Sequence, residues 1–197
     1  MEERIADCSA IMFDINNIEF DNPASLHIEI GCGKGKFIIE NALRNPEINY
    51  IAVEREETVI LSALESAMEY NLPNLRFIAD DIAKIAEHIG EGTVDRICLN
   101  FSDPWRKTRH HKRRLTHKKF LDIYKKMLKS SGAIHMKTDN DELFDFSIES
   151  FVENGFEVKN LTRDLHQSDL AQTNIKTEYE TKFSEKGIKI KYAEAYV

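Results

Sequence analysis

The sequence predicts a single α/β domain built on a doubly wound, mostly parallel sheet. Apolar segments typical of strands alternate five times with segments whose apolar residues recur at helical spacing. Such alternation produces βαβ units, which require a parallel sheet covered by helices on both faces. The 197 residues contain no repeat and no linker-like stretch. We therefore expect one domain over residues 1–197, with residues 1–25 as a short N-terminal arm.

The predicted elements follow each other at regular spacing. The strand candidates are residues 26–30, 50–53, 75–79, 94–100 and 133–136. The buried stripes of the longer helices are predicted to consist of Phe37, Ile38, Ile39, Ala42 and Leu43; Ile60, Leu64, Ala67 and Met68; Phe120, Leu121, Tyr124, Met127 and Leu128; and Phe144, Ile148, Phe151 and Val152. A short helix after the third strand should end near Gly90, and the last helix at the C-cap signal Asn154-Gly155.

The end of the chain is rich in residues that favour strands. Residues 156–161 and a tail over residues 179–197 are predicted to complete the sheet. Two β-like segments flank Glu185-Lys186-Gly187, which predicts a turn and a terminal hairpin. At least one late strand should therefore be antiparallel.

The composition limits the compartment and the classes of site. The three cysteines, Cys8, Cys32 and Cys98, form no Cys-x-x-Cys pair, which argues against a disulfide framework and a cysteine zinc site. No apolar run approaches the ~20 residues of a membrane span, and the N-terminus carries no signal-peptide pattern. We expect a cytoplasmic protein that uses no metal and does not enter a membrane; a homodimer is left open.

The charge of the chain is unevenly distributed. The net charge is −7, yet the window from Arg106 to Lys119 contains eight Lys or Arg residues and no acid. The remaining 183 residues therefore carry a net charge of −15. A concentrated basic segment on an acidic body indicates a polyanionic partner such as nucleic acid, although a solvated helix face is the simpler alternative.

Each of the five predicted strands ends at or near a carboxylate. These residues are Glu29, Glu54, Asp81 with its neighbour Asp80, Asp103 and Asp139. Any one of them could be an ordinary turn or helix-cap residue. Because ligands bind beyond the carboxyl ends of the strands in open α/β sheets, we expect the five to share one rim and to form a ligand site.

A glycine loop follows the first strand. Gly31, Gly33 and Gly35 do not match the Gly-x-Gly-x-x-Gly dinucleotide fingerprint, because the third glycine comes one residue early. Glycine allows a positive φ and a close approach of backbone to ligand, but a plain turn would also account for it. Glu54 lies 21 residues after Gly33, where a carboxylate can bind ribose hydroxyls in both NAD enzymes and S-adenosylmethionine enzymes.

The segment after the fourth strand separates these two classes. Asn100-Phe101-Ser102-Asp103-Pro104-Trp105 combines a polar group, an acid, a proline and an aromatic ring. A rigid turn of this composition can hold a planar base by its edge and stack it. The alternative is an ordinary turn with Trp105 in the core.

Four motifs together resemble the bacterial tRNA (guanine-N7)-methyltransferase family. They are residues 29–37 (EIGCGKGKF), 99–115 (LNFSDPWRKTRHHKRRL), 135–140 (HMKTDN) and 177–183 (TEYETKF), in the order found in that family. The resemblance implies a Rossmann-like class I methyltransferase fold with an antiparallel terminal strand. It also implies transfer of a methyl group from S-adenosylmethionine to N7 of the variable-loop guanine of tRNA.

The resemblance also assigns roles to residues of this sequence. Asp103 is the expected catalytic residue, and the resemblance places Glu29, Glu54, Asp81 and Asp103 in the cofactor site. The glycine loop adds Gly31, Gly33 and Gly35 to the expected cofactor-binding residues. The residues expected at the substrate or the RNA are Lys107, Arg109, His110, His111, Lys112, Arg113, Arg114, Asp139, Thr177, Glu178, Tyr179 and Glu180. Asp139 is equally explained as the N-cap of the next helix, because Glu142 follows three residues later.

The sequence departs from the family pattern at three places. Arg106 and Thr108 replace a usual proline and lysine, and the N-terminal arm begins with glutamates rather than with a longer basic segment. Three other functions share parts of the pattern: a class I methyltransferase that acts on another RNA position or on a protein, an NAD-dependent oxidoreductase, and an RNA-binding protein without catalysis. The glycine spacing argues against an NAD-dependent oxidoreductase. The intact glycines and strand-end acids argue against an RNA-binding protein without catalysis.

Overall fold

The computed structural model describes residues 8–13, 18–20 and 22–197. Its strands are β1 (Ser25–Ile30), β2 (Ile48–Val53), β3 (Leu75–Ile78), β4 (Val94–Asn100), β5 (Leu128–Thr138), β6 (Glu157–Thr162) and β7 (Lys191–Tyr196). Its α-helices are α1 (Lys36–Arg44), α2 (Glu57–Met68), α3 (Ile82–Ile89), α4 (Lys118–Met127), α5 (Asp141–Glu153) and α6 (Glu178–Ser184). The longest of the short 3-10 helices spans Thr108–Arg113.

The described strands form one sheet in the order β3-β2-β1-β4-β5-β7-β6. Strands β1 to β5 pair in parallel, whereas β7 runs antiparallel to both of its neighbours, β5 and β6. This arrangement confirms the predicted doubly wound sheet with a late antiparallel strand. The strand order reverses at the β1–β4 pair, and in folds of this type the ligand crevice lies outside the carboxyl ends of the strands at that point.

Two apolar layers cover the sheet. On one face, strand residues such as Ile28, Ile97 and Ile134 pack in a cluster with the buried stripes of α3, α4 and α5. On the other face, residues such as Tyr50 and Phe77 pack with α1 and α2. Alternate side chains of one strand point to opposite faces, so β1 sends Ile28 into the first layer and Glu29 to the other side. Burial of these stripes is what stabilises the short helices.

The buried apolar stripes of three helices contain fewer residues than the sequence predicts. Leu43, Met68 and Val152 were expected to be buried, but 45%, 48% and 60% of their surfaces are exposed. Each directly follows a buried residue of its helix, namely Ala42, Ala67 or Phe151, and is therefore rotated by about 100° away from the buried face. Leu128 is buried as expected but begins β5 rather than ending α4.

The predicted terminal hairpin is wrong. Residues 178–184 form α6, and Glu185-Lys186-Gly187 ends this helix instead of joining two strands. The local cause is a capping pattern: the Thr177 hydroxyl accepts a hydrogen bond from the Glu180 backbone N–H at 2.9 Å. The remaining strand of the tail, β7, is inserted between β5 and β6, which are consecutive strands of the chain.

The predicted N-terminal arm lies only partly within the described residues. Its described part contains a 3-10 turn at Ser9–Ile11, and Met12 forms a parallel bridge with Phe77 on β3. Residues 1–7, 14–17 and 21 lie outside the described part. Among the described residues, no helix has the length and apolar character required to cross a membrane.

Candidate active site

A cavity of about 500 Å³ lies beyond the carboxyl ends of β1 to β4. It is bordered by the ends of four strands, so the fold itself brings these residues together. Four residues expected from the sequence to bind a cofactor line it: Gly31, Glu54, Asp81 and Asp103. Asn100, Trp105 and Arg113 line it as well.

The glycine loop has the backbone conformation that only glycine adopts easily. The φ angles of Gly31, Gly33 and Gly35 are 78°, 58° and 80°. A Cβ at Gly31 or Gly33 would meet nothing within 4 Å, so open space lies beside the loop where a ligand can approach the backbone. Gly35 has a different role, because a Cβ there would lie 2.9 Å from Ala63 of α2. Gly35 therefore allows the start of α1 to pack closely against α2, and it does not line the cavity.

Glu54 connects the glycine loop to the end of β2. Its carboxylate accepts hydrogen bonds from the backbone N–H groups of Gly33 at 3.1 Å, Arg55 at 2.8 Å and Glu56 at 3.1 Å. A carboxylate has about four acceptor positions, so the three backbone bonds leave capacity for a ligand hydroxyl. Glu54 is therefore held in a fixed orientation at the cavity wall.

Glu29 lies beneath the loop and is 2% exposed. Its Oε1 accepts a hydrogen bond from the Asn100 side chain at 2.8 Å, whereas its Oε2 has no hydrogen-bond partner among the described residues. Burial raises the pKa of Glu29 to about 8, although Asn100 and Lys137 act in the opposite direction. An incompletely paired buried carboxyl is costly, and a cationic group that reaches it would remove much of that cost.

The carboxylates at the end of β3 have a local structural role in addition to their place at the cavity. Asp81 is the N-cap of α3, and its side chain accepts the Ala83 N–H at 2.9 Å. Asp80 pairs with Lys84 at 3.0 Å, and the backbone N–H of Asp81 holds the pKa of Asp80 below its usual value, assisted by Lys84. A cap leaves the second oxygen of Asp81 available to the cavity.

Asp103 stands in a strained turn after β4. The backbone is left-handed at the two aromatic residues that flank it, with φ of 52° at Phe101 and 41° at Trp105, a conformation that costs energy for any residue other than glycine. Asp103 itself is exposed and makes no hydrogen bond or ion pair with any described residue. The turn thus presents a carboxylate that is free to interact with a ligand in the cavity.

The basic segment forms a surface next to this turn. Seven of its eight cationic residues are exposed, among them the predicted RNA contacts Lys107, Arg109, Lys112 and Arg113. The Arg113 guanidinium lies 4.9 Å from the centre of the Trp105 ring and borders the cavity. The exposed cations therefore lead up to the edge of the cavity.

Arg114 departs from the expectation of an RNA contact. Only 1% of its side chain is exposed. Its guanidinium donates to the Pro104 carbonyl at 2.8 Å and to the Glu142 carboxylate, and lies over the Phe146 ring. These contacts fasten the turn that carries Asp103 to the start of α5. His111 is half-buried beside the same Glu142 carboxylate, at 3.6 Å, whereas His110 packs edge-on against Trp105.

Asp139 is not the helix cap that the sequence pattern offered as an alternative. Asn140 is the N-cap of α5, and its side-chain oxygen accepts the Leu143 N–H at 2.8 Å. The Asp139 carboxylate instead accepts a hydrogen bond from the Tyr179 hydroxyl at 3.4 Å. Asp139 follows β5, on the side of the strand ends where α6 begins, and does not line the cavity.

The predicted substrate motif Thr177–Glu180 starts α6 and divides into exposed and buried members. Tyr179 stacks on Phe183 with ring centres 4.0 Å apart and packs against Phe101 at 4.9 Å. Exposed Glu178 is 3.7 Å from Lys34 of the glycine loop. Thr177 caps the helix, and the Glu180 side chain is fully buried. Tyr179 thus packs beside the turn that carries Asp103, Glu178 lies near the glycine loop, and the Glu180 side chain is inside the protein.

A family model described as "Putative methyltransferase" matches residues 23–193. Solved methyltransferase structures share the fold at low sequence identity. An antibiotic-related methyltransferase has a TM-score of 0.62 and 14% identity, covering 100% of this chain and 94% of that one. A 16S rRNA (adenine(1408)-N(1))-methyltransferase from Catenulisporales acidiphilia has a TM-score of 0.61 and 11% identity, covering 100% and 90%. The chain is a methyltransferase of the doubly wound α/β class.

Curated relatives narrow this class. A tRNA (guanine-N(7)-)-methyltransferase of Macrococcus caseolyticus is 50% identical over 176 residues, which are 89% of this chain and 83% of that protein. The Brevibacillus brevis enzyme of the same name is 49% identical over 89% of this chain and 82% of its own length. A Lactococcus lactis enzyme of that name is 49% identical over 85% and 78%. The chain belongs to the tRNA (guanine-N(7)-)-methyltransferase family.

Proposed function

We propose that this protein transfers a methyl group from S-adenosylmethionine to N7 of a guanine in tRNA, in the variable loop as the family resemblance implies. The observation that carries the proposal is the position of Asp103. Its unpaired carboxylate lines the strand-end cavity, and the exposed cations Arg113 and Lys119 of the basic segment line the same cavity. A cofactor in the cavity and an RNA on the surface would therefore meet at this residue.

The residues of the cavity fit S-adenosylmethionine. Glu54 and Asp81 offer acceptors for hydroxyl and amino groups, and the open space at Gly31 admits a ligand close to the backbone. Glu29 does not line the cavity, but its buried, unpaired Oε2 belongs to the residue two positions before Gly31 and suits a cationic amino group that reaches behind the glycine loop. The solved structure of one fold neighbour, the 16S rRNA methyltransferase, contains S-adenosylmethionine (SAM) as its cosubstrate. When bound, S-adenosylmethionine supplies an electrophilic methyl group on a sulfonium.

The acceptor chemistry requires little acid–base assistance. Guanine N7 has an in-plane lone pair and carries no proton, so no general base has to act on it before the methyl group is transferred. Proximity and alignment supply most of the rate enhancement. The methylated ring is cationic, and the Asp103 carboxylate stabilises this developing charge. Asp103 and Asp139 can also accept hydrogen bonds from guanine N1–H and N2–H₂, which adenine does not offer in the same pattern.

The direct test is the identity of the methylated nucleoside. The protein is incubated with bulk tRNA and methyl-labelled S-adenosylmethionine, and the tRNA is then digested to nucleosides. We expect the label in 7-methylguanosine. Label in another nucleoside would indicate a class I methyltransferase with a different RNA target, and label in protein alone would exclude RNA as the substrate.

The raised pKa of Glu29 predicts pH-dependent cofactor binding. If the Glu29 carboxylate binds the amino group of the ligand, only its ionised form is competent. With a pKa of about 8, the ionised fraction increases as the pH rises from 6 to 8. The affinity for S-adenosylhomocysteine should then increase by up to about tenfold per pH unit in this range. Calorimetric titrations at several pH values measure it.

Two controls isolate Glu29 from other pH effects. The Glu29→Gln variant should bind S-adenosylhomocysteine more weakly and without this pH dependence, because glutamine does not ionise. Methylthioadenosine, which lacks the amino acid part, should bind the wild-type protein with little change between pH 6 and 8. An equal pH slope for both ligands would contradict the assignment of Glu29 to the amino group.

The exposed cations predict salt-dependent tRNA binding. Each phosphate contact contributes about −0.9 to the slope of log K against log salt on a duplex, and about −0.7 on a single strand. Because Arg109 and Lys112 are exposed and lie in the basic segment, the Arg109→Ala/Lys112→Ala variant should flatten the slope by roughly 1.4 to 1.8 units. Filter binding over a range of salt concentrations measures the slope.

Substitutions elsewhere provide matched controls. Lys126→Ala/Lys159→Ala removes two exposed positive charges outside the basic segment and should leave the slope near the wild-type value. Arg114→Ala should lower the free energy of unfolding but not the slope, because its guanidinium is buried. An unchanged slope in the Arg109→Ala/Lys112→Ala variant would mean that the segment is only a solvated face.

A further inference from the structure

Glu180 is the least accessible member of the predicted substrate motif. Its side chain is fully buried, and its Oε2 accepts a hydrogen bond from Lys137 Nζ at 2.8 Å. Its Oε1 accepts one from the Asn174 amide at 2.6 Å and lies 2.7 Å from His166 Nε2. We refer to Glu180, Lys137, Asn174 and His166 as the Glu180 cluster. With three partners on its carboxylate and no exposed surface, Glu180 cannot meet a nucleotide unless α6 moves.

Lys137 is equally saturated. Its ammonium group donates to Glu180, to the Asn174 side-chain oxygen at 2.9 Å and to the Ile175 carbonyl at 2.8 Å, which accounts for all three of its donors. It also lies 4.7 Å from the centre of the Phe37 ring on α1. The Glu180 cluster therefore joins β5, α1, the segment that contains residues 166–175, and α6.

The residue next to Glu180 packs beside the turn that carries Asp103. Tyr179 packs against Phe101, whose strained backbone begins the turn to Asp103, and its hydroxyl contacts Asp139. Lys36, which follows the glycine loop, bonds Thr181 of α6 at 3.5 Å. The orientation of α6 thus sets the distance between Tyr179 and two strand-end carboxylates.

We propose that Glu180 and Lys137 are positioning residues for the methyl transfer: their buried ion pair fixes α6 so that Tyr179 holds its place beside Asp139 and the Asp103 turn. This inference rests on the proposed function and changes the role that the family resemblance implies for Glu180. Glu180 acts through Lys137 and Tyr179, and it does not touch the guanine.

The physical basis is the asymmetry of buried ion pairs. Removal of one partner leaves an uncompensated charge inside the protein, whereas replacement of both partners by apolar side chains of similar volume can be nearly neutral. A positioning pair should therefore tolerate replacement of both partners together. A direct ligand of the nucleotide should not, because its carboxylate is then absent.

The test compares single and double variants of the full chain. Lys137→Met and Glu180→Leu should each lower kcat for bulk tRNA at least tenfold and speed hydrogen exchange of the amides of residues 178–184. Lys137→Met/Glu180→Leu should raise kcat severalfold above that of either single variant, together with slower exchange; the recovery is incomplete because the Asn174 amide and His166 lose their acceptor. Lys129→Met is the control. It breaks the ion pair between Lys129 and Asp95 at the other end of β5 and should leave both kcat and the exchange rate of residues 178–184 unchanged.

The outcome that overturns the proposal is a double variant with slow exchange in α6 but with the activity of the Glu180→Leu variant. If the double variant does not fold, Glu180→Gln replaces it, since glutamine has nearly the same volume and keeps an acceptor for Lys137. Slow exchange with lost turnover in Glu180→Gln would likewise assign a direct contact to Glu180, whereas retained turnover supports positioning. If wild-type protein yields no 7-methylguanosine, the proposed function fails, while hydrogen exchange still reports whether the pair holds α6.

Discussion

Replacement of Asp103 by asparagine should lower kcat for tRNA methylation by about 100-fold or more, the loss seen when one preorganised electrostatic group is removed from an active site. Asparagine keeps the shape and one acceptor oxygen but carries no charge, so it cannot stabilise a cationic guanine ring. Because Asp103 has no partner among the described residues, its substitution breaks no structural contact. Single-turnover measurements with bulk tRNA would give the rate, and filter binding would give the tRNA affinity.

Two further variants show whether the loss is specific to the carboxylate of Asp103. Asp80→Asn removes another carboxylate from the same cavity, but one that is already paired with Lys84, and should reduce kcat far less. Asp139→Asn is informative because Asn140, and not Asp139, caps α5; a loss of turnover there would reflect contact with the guanine. If Asp103→Asn weakened tRNA affinity and turnover equally, the interaction would be one of binding and the electrostatic role would be wrong.

Substitution of Gly31 by valine should abolish measurable binding of S-adenosylhomocysteine. The open space beside Gly31 is part of the cavity, and a branched side chain would occupy it. Valine is also strained at a φ of 78°, so some loss of stability is expected as well. Calorimetry would measure the affinity, and thermal unfolding would measure the stability.

Gly92→Val separates the two effects. Gly92 has a φ of 63° and open space around it, but it does not line the cavity. The strain on the backbone should therefore be similar, whereas cofactor affinity should stay near wild type. Equal loss of affinity in both variants would falsify the placement of the ligand beside Gly31, because a general loss of structure would then account for it.

Much of the fold followed from local sequence. Periodic apolar residues predicted β1 to β5 and the helices between them, because a buried face leaves a repeat of two in strands and of 3.6 in helices. Glu54, Asp81 and Asp103 were predicted to share one rim because parallel strands end on the same side of a sheet. The motifs at residues 29–37 and 99–115 carry most of the resemblance to the family, since each is a continuous stretch of sequence.

Tertiary structure decided which of the polar residues are available to a ligand. Within the basic segment, Arg114 is the buried exception, since its partners Pro104 and Glu142 come from other parts of the chain. Glu180 pairs with Lys137, which is 43 residues away, and Asn100 reaches Glu29 across two adjacent strands. Charge and spacing along one segment carry no information about such partners, because burial depends on segments that meet only after folding. The sequence by itself determined the class of fold and the residues at the strand ends, and packing alone determined which of them face a substrate and which hold the protein together.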